Sequence, residues 1–117
     1  MTVVMEHEKL SWRYSSNPKI TKKSIKTPGR WLSYLPIKYA ENVWQKIDQA
    51  TKDGLLGYKA KISSPNFIPD REVICCILYV YTYDINDIKD VLRVREQLRK
   101  LGFVRPISYG CKKILVL

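Results

Sequence analysis

The stretch Glu72-Val-Ile-Cys-Cys-Ile-Leu-Tyr-Val-Tyr-Thr-Tyr83 decides the fold. It is the most hydrophobic run of the chain, rich in β-branched and aromatic side chains and without a helical period. Such residues fit a pleated surface packed by neighbours. A continuous apolar run of this length predicts a central strand, buried on both faces over much of its course.

Working towards the N-terminus, Ser63 to Pro69 reads as a loop with two prolines. Before it, Tyr58, Ala60 and Ile62 alternate with Lys59 and Lys61, the period of a half-buried strand. Ala40, Val43, Trp44, Ile47 and Ala50 recur at helical spacing and form one apolar stripe, and Gly54 ends that helix. Arg30 to Leu35 reads as a strand between Pro28-Gly29 and Pro36, and Leu10 to Tyr14 as a short strand with Trp12 and Tyr14 on one side. Ser15-Ser16-Asn17-Pro18 is a turn signal, followed by a basic Lys/Thr/Ser loop.

Working towards the C-terminus, Asn86 or Asp87 caps a second helix, with Asp87 and Asp90 at the positive end of its dipole. Ile88, Val91, Leu92, Leu98 and Leu101 are its expected buried face, and Gly102 stops it. Phe103 to Tyr109 reads as a strand interrupted by Pro106, hence an edge or a bulge. Ile114 to Leu117 is a last apolar strand. The order β-β-α-β-β-α-β-β predicts an α+β fold, two layers deep, with a mostly antiparallel sheet backed by two helices.

The chain has 117 residues, 45% hydrophobic and 27% charged, which fits one domain over residues 1–117 with a partly irregular basic segment over 1–28. No apolar run approaches the roughly 20 residues of a membrane span. The first residues lack a signal-peptide pattern, so the expected location is cytoplasmic and no membrane partner is expected. Cys75 and Cys76 are neighbours that point to opposite faces of a strand, and Cys111 stands apart, so no metal site and no disulfide framework is expected. Phosphate-binding glycine loops, nucleophile elbows and dinucleotide fingerprints are missing from the sequence, and no cofactor is expected. The single histidine, His7, sits near the terminus, where ordered catalytic residues are uncommon.

Net charge is +10, unevenly spread. Lys9 to Ala40 contains eight basic residues and no acid, and from Leu92 onward seven basic residues face one acid, Glu96. Between Ser63 and Val91 five acids face two bases. Two basic blocks make an attractive field for phosphates or acidic partners only if the fold brings them to one surface; otherwise they serve solubility.

Five residues are candidates for ligand contact: Arg30, Lys59, Lys61, Arg95 and Arg99. Lys59 and Lys61 share one strand face. They suit phosphate oxygens, or mutual repulsion lowers one pKa and makes Lys61 a weak candidate for a catalytic base; strand patterning favours the ordinary solvated face of a half-buried strand. Arg95 follows Val91 by four and borders the second helix's stripe, with Arg99 one turn on, as a bidentate clamp or as a side chain with an internal partner. Trp44 belongs to the first helix's core stripe, whereas Trp12 and Trp31 are free to pack the core or to stack on a ligand.

Taken as an ordered set, Tyr14-Ser15-Ser16-Asn17-Pro18, Gly29-Arg30-Trp31-Leu32, Val43-Trp44-Gln45-Lys46-Ile47, Gly54-Leu55-Leu56-Gly57, Lys59-Ala60-Lys61-Ile62-Ser63, Tyr81-Thr82-Tyr83-Asp84 and Val94-Arg95-Glu96-Gln97-Leu98-Arg99 resemble the family of the basophilic leukaemia-expressed protein, also called phosphothreonine lyase domain-containing. The likeness covers Trp12 to Tyr109. It implies a fold similar to the cap-binding translation initiation factors, a curved antiparallel sheet backed by helices, and an analogy to phosphothreonine lyases, which use a lysine base, a histidine acid and phosphate-holding arginines. Lys61, or its neighbour Lys59, stands where such a lysine matches. No histidine matches, and Gly110-Cys111-Lys112-Lys113 replaces the Lys-Thr-Asp type segment that the family carries, both against lyase activity.

The expected function is therefore a binding module for a phosphate-bearing ligand: a nucleotide, an RNA end or another nucleic acid, or a phosphopeptide. The alternatives are a phosphothreonine-lyase-like enzyme and an interaction protein that forms a homodimer through an open sheet edge.

Overall fold

A computed structural model describes residues 10–20, 24–103 and 107–111. Its elements run β1 (Trp12–Ser16), β2 (Gly29–Pro36), α1 (Ile37–Lys52), β3 (Lys59–Ser63), β4 (Asn66–Ile68), β5 (Val73–Thr82), α2 (Ile88–Lys100) and β6 (Ser108–Gly110). The strands form one sheet in the order β1-β3-β5-β2-β6, with β4 paired to β5, and every pairing is antiparallel. This is the α+β arrangement that the sequence pattern predicts. The expected last strand, Ile114 to Leu117, lies outside the described residues, as do His7 and Pro106.

The apolar run becomes β5, and β2, β3 and β4 all bond to it. Cys75, Cys76, Ile77 and Leu78 are all buried, so both faces of its middle are covered. Cys76, Leu78 and Val80 point to the helix side, where they join Trp31, Leu35, Ala60 and Ile62 against Trp44 and Ile47 of α1 and Val91, Val94 and Leu98 of α2. Each fully buried side chain of this size stabilises the fold by about 1.5–3 kcal/mol. Cys75 and Ile77 point the other way and pack with Trp12, Leu32, Tyr34 and Tyr79 in a smaller cluster. The adjacent cysteines thus stand on opposite faces, and burial pushes the Cys76 thiol up from its ordinary value.

Four local expectations change, the first being the strand expected over Phe103 to Tyr109, which among the described residues is β6, Ser108–Gly110. Residues 66–68, expected inside a loop, form β4: Phe67 and Ile68 pair with Ile74 and Val73, and Pro69 then opens a single helical turn. Ser15 and Ser16, expected in a turn, still belong to β1. The buried stripe of α2 is Val91, Val94 and Leu98, while Ile88 is 60% exposed and Leu92 44%. Leu92 follows Val91 by about 100° around the helix, which carries it off the sheet, and Ile88 stands in the first turn. Asp87 caps α2, accepting from the Asp90 amide.

Two contacts close the layers. Arg93 donates to the carbonyls of Leu55 and Leu56 at 2.8 and 2.9 Å and to Asp90 at 2.9 Å, tying α2 to the segment that follows α1. Gly57 lies against the backbone of β5: a Cβ there would collide with the Tyr81 carbonyl oxygen. Gly57→Ala is expected to lose about 1–3 kcal/mol, the cost of overpacking against a backbone that cannot yield. Arg93→Lys keeps the charge and loses the forked hydrogen bonds, for a loss of about 1–2 kcal/mol. Urea unfolding of each variant measures both, and a midpoint equal to that of the wild type would refute the corresponding contact.

Candidate functional site

Among the described residues both helices lie on one face of the sheet, and the period of the strands decides which side chains remain on the other. Trp12, Tyr14 and Ser16 of β1, Lys59 and Lys61 of β3, Tyr79 and Tyr81 of β5, and Arg30, Leu32 and Tyr34 of β2 alternate with residues packed on the helices. Antiparallel register sets these open-face residues in rows. Tyr14 is opposite Lys61, Lys61 is opposite Tyr79, and Tyr79 is opposite Leu32. One step along, Ser16 is opposite Lys59 and Tyr81 is opposite Arg30.

Cations lie on rings throughout this face. The Arg30 guanidinium is 3.9 Å from the Tyr79 ring centroid and 5.9 Å from that of Tyr81. The Lys59 ammonium is 4.6 Å from the Tyr81 ring, and the Lys61 ammonium 4.2 Å from Trp12 and 5.4 Å from Tyr79. Each such contact is worth about 0.5–1 kcal/mol where exposed and holds a cation in one place. Trp12 stacks on Tyr79 at 5.8 Å, and Tyr58 leans on both Tyr81 and Tyr83. Arg30 also donates to the Tyr81 hydroxyl at 3.2 Å, while its Nε is buried with no hydrogen-bond partner among the described residues. Among those residues, neither Arg30 nor Lys59 has a carboxylate at ion-pair distance. A cleft of about 260 Å³ opens between Pro28, Arg30, Tyr58, Lys59, Lys61 and Tyr81.

Three of the five candidate residues, Arg30, Lys59 and Lys61, therefore meet on one surface. Arg95 and Arg99 do not join them, because α2 packs on the opposite face. Arg95 points away from the sheet, 3.9 Å from Glu96, and Arg99 donates to the Phe103 carbonyl at 2.8 Å. The described part of the C-terminal basic block thus rides on the helix layer, and Arg13 of the first block is also on that side, forked onto Glu41 at 2.8 and 3.2 Å. Trp31 is core: it packs on Tyr109 and donates to the Val91 carbonyl. Trp12 is on the open face. Tyr79 and Tyr81 are the site residues that sequence reasoning missed; their signal was the alternation within the run 79–83, masked by its hydrophobicity. Among the described residues no cluster of ligating side chains can hold a metal ion, and no helix is long and apolar enough to cross a membrane.

Burial at the edge of this site pushes the Tyr58 phenol from the ordinary 10 up to about 12, and raises Tyr79 as well. Its neutral form is the one the fold favours, so this stability is complete below pH 10 and is lost as pH rises towards 12, where the unfolded chain ionises first. Stability measured by denaturant across that range is expected to fall, and Tyr58→Phe to flatten the fall. An unchanged slope in Tyr58→Phe would refute the burial argument.

The ordered motifs of the chain and the sheet that carries them agree with a single relationship. None of the curated proteins compared with this chain matches it. The pattern of the basophilic leukemia-expressed protein Bles03 family matches residues 5–115, nearly the whole chain, and the chain belongs to that family.

Proposed function

We propose that the open sheet face is a binding surface for a phosphate-bearing ligand, held by Arg30, Lys59 and Lys61. The observation that supports this reading is the gathering of three cations over aromatic rings on one face, with no carboxylate at ion-pair distance from Arg30 or Lys59 among the described residues. Arg30 is held over the Tyr79 ring and hydrogen-bonded to the Tyr81 hydroxyl, so little side-chain freedom remains to be lost when it meets an anion. A guanidinium binds phosphate through paired N–H groups and an ammonium as a point charge, and both are represented. The cleft of about 260 Å³ is below the roughly 300 Å³ where enclosed pockets for drug-sized molecules begin, which suits a phosphate group with part of its ligand lying outside. The cap-binding-like fold that the motif resemblance implies adds weight by analogy alone.

Calorimetric titration with ATP and with inorganic triphosphate at low ionic strength tests the reading. Binding is expected, with an affinity that falls steadily as salt rises. Lys59→Ala, Lys61→Ala and Arg30→Ala are each expected to weaken it about tenfold or more, the effect of one lost charge-assisted hydrogen bond. No binding of either probe at low salt would overturn it, as would an affinity in all three variants equal to that of the wild type.

A further inference from the structure

The open face offers more ring surface than a phosphate clamp uses. Along one register row the side chains read ring, cation, ring: Tyr14, Lys61, Tyr79. Neighbouring strands are about 4.8 Å apart, so a ring and a cation of this row stand within the reach of one nucleotide, whose base and phosphate are joined through the sugar. Tyr14 is 63% exposed and packs in neither apolar cluster, so its ring is available to solvent. Trp12 stacks on Tyr79, and the Arg30 guanidinium lies over the same Tyr79 ring, 3.9 Å from its centroid. A guanidinium seated on a ring presents an outward plane on which a base can stack, as aromatic rings do.

Charge is complementary to one class of partner in particular. A phosphopeptide concentrates its charge at one group, which a tight arginine cluster meets best, and leaves the flanking rings idle. Here the cations are distributed over β2 and β3, with rings between and beyond them. Duplexes hide their bases from such rings, whereas a single strand exposes them.

We propose that this face takes a single strand of nucleic acid laid across the sheet, with two or three bases against Tyr14, Trp12 and the Arg30 plane and phosphates at Lys59 and Lys61. The proposal rests on the phosphate-binding reading above and adds the class of ligand. RNA and DNA share the chemistry of stacking and phosphate contact; the 2′-hydroxyl distinguishes them.

Fluorescence anisotropy with labelled oligouridylate, oligothymidylate, an RNA duplex of equal length and a phosphothreonine peptide tests it, with ATP as competitor. Single strands are expected to bind at least tenfold more tightly than the duplex and the peptide. Tyr14→Ala is expected to weaken single-strand binding about tenfold, the effect of one lost ring–base stack, and to leave the affinity for inorganic triphosphate, which has no base to stack, unchanged. Tyr14→Leu, which keeps apolar bulk on the strand but has no ring, is expected to behave like Tyr14→Ala, and an unchanged melting temperature separates lost stacking from lost fold. Tighter oligouridylate than oligothymidylate would assign RNA, and the reverse DNA. Duplex or phosphopeptide binding as tight as the single strand, or no effect of both Tyr14 variants, would overturn the proposal while ATP binding kept the phosphate reading intact. Failure of every probe to bind would overturn both.

Discussion

The constraint on which the molecule depends is the two-residue period of β5. Three strands bond to it directly, and its side chains divide strictly between the layers. Cys76, Leu78 and Val80 hold the helices; Cys75, Ile77, Tyr79 and Tyr81 supply the opposite face. A slip of one residue in any pairing would exchange the two sets, burying tyrosines under α1 and exposing aliphatic side chains. The apolar surface that α1 and α2 require makes that exchange costly, so register and layer order support each other.

The same period builds the candidate site. Lys59 and Lys61 flank Ala60, which is fully buried under the helices, so the burial of one residue turns its two neighbours outward together. Arg30 stands likewise between the buried Gly29 and Trp31. Cations that would repel one another on bare backbone are instead separated by rings: Tyr79 lies between Arg30 and Lys61, and Tyr81 between Arg30 and Lys59. Ring faces carry negative charge, which offsets part of that repulsion and fixes where the cations stand. The three cations are thereby held on strands paired to the central one, while Pro28 and Tyr58, which complete the cleft, come from the segments just before β2 and β3.

On the helix layer three arginines are held by local contacts. Arg13 is forked onto Glu41, Arg93 onto two carbonyls and Asp90, and Arg99 onto the carbonyl of Phe103 at the end of its own helix. These residues fasten elements together. Basic residues of similar appearance in the sequence thus divide into fasteners on one side of the sheet and a patch on the other.

Residue order alone determined the central strand, the helix over Ala40 to Ala50, the shared face of Lys59 and Lys61 and a cap at Asn86 or Asp87, which the fold resolves to Asp87, because each rests on spacing within one segment. It also carried the family, since motifs keep their order along the chain. The short strand over residues 66–68 was illegible, because two prolines marked a loop and three residues are too few for a period to register. The role of Tyr79 and Tyr81 was hidden inside a run that is hydrophobic at every step. Which cations would meet was decided only by tertiary structure: Arg30, Lys59 and Lys61 are joined by pairing across β5, and Arg95 and Arg99 are excluded because α2 packs on the other layer. Charge in a sequence has position but no side; strand pairing and the burial of the residues between supply it.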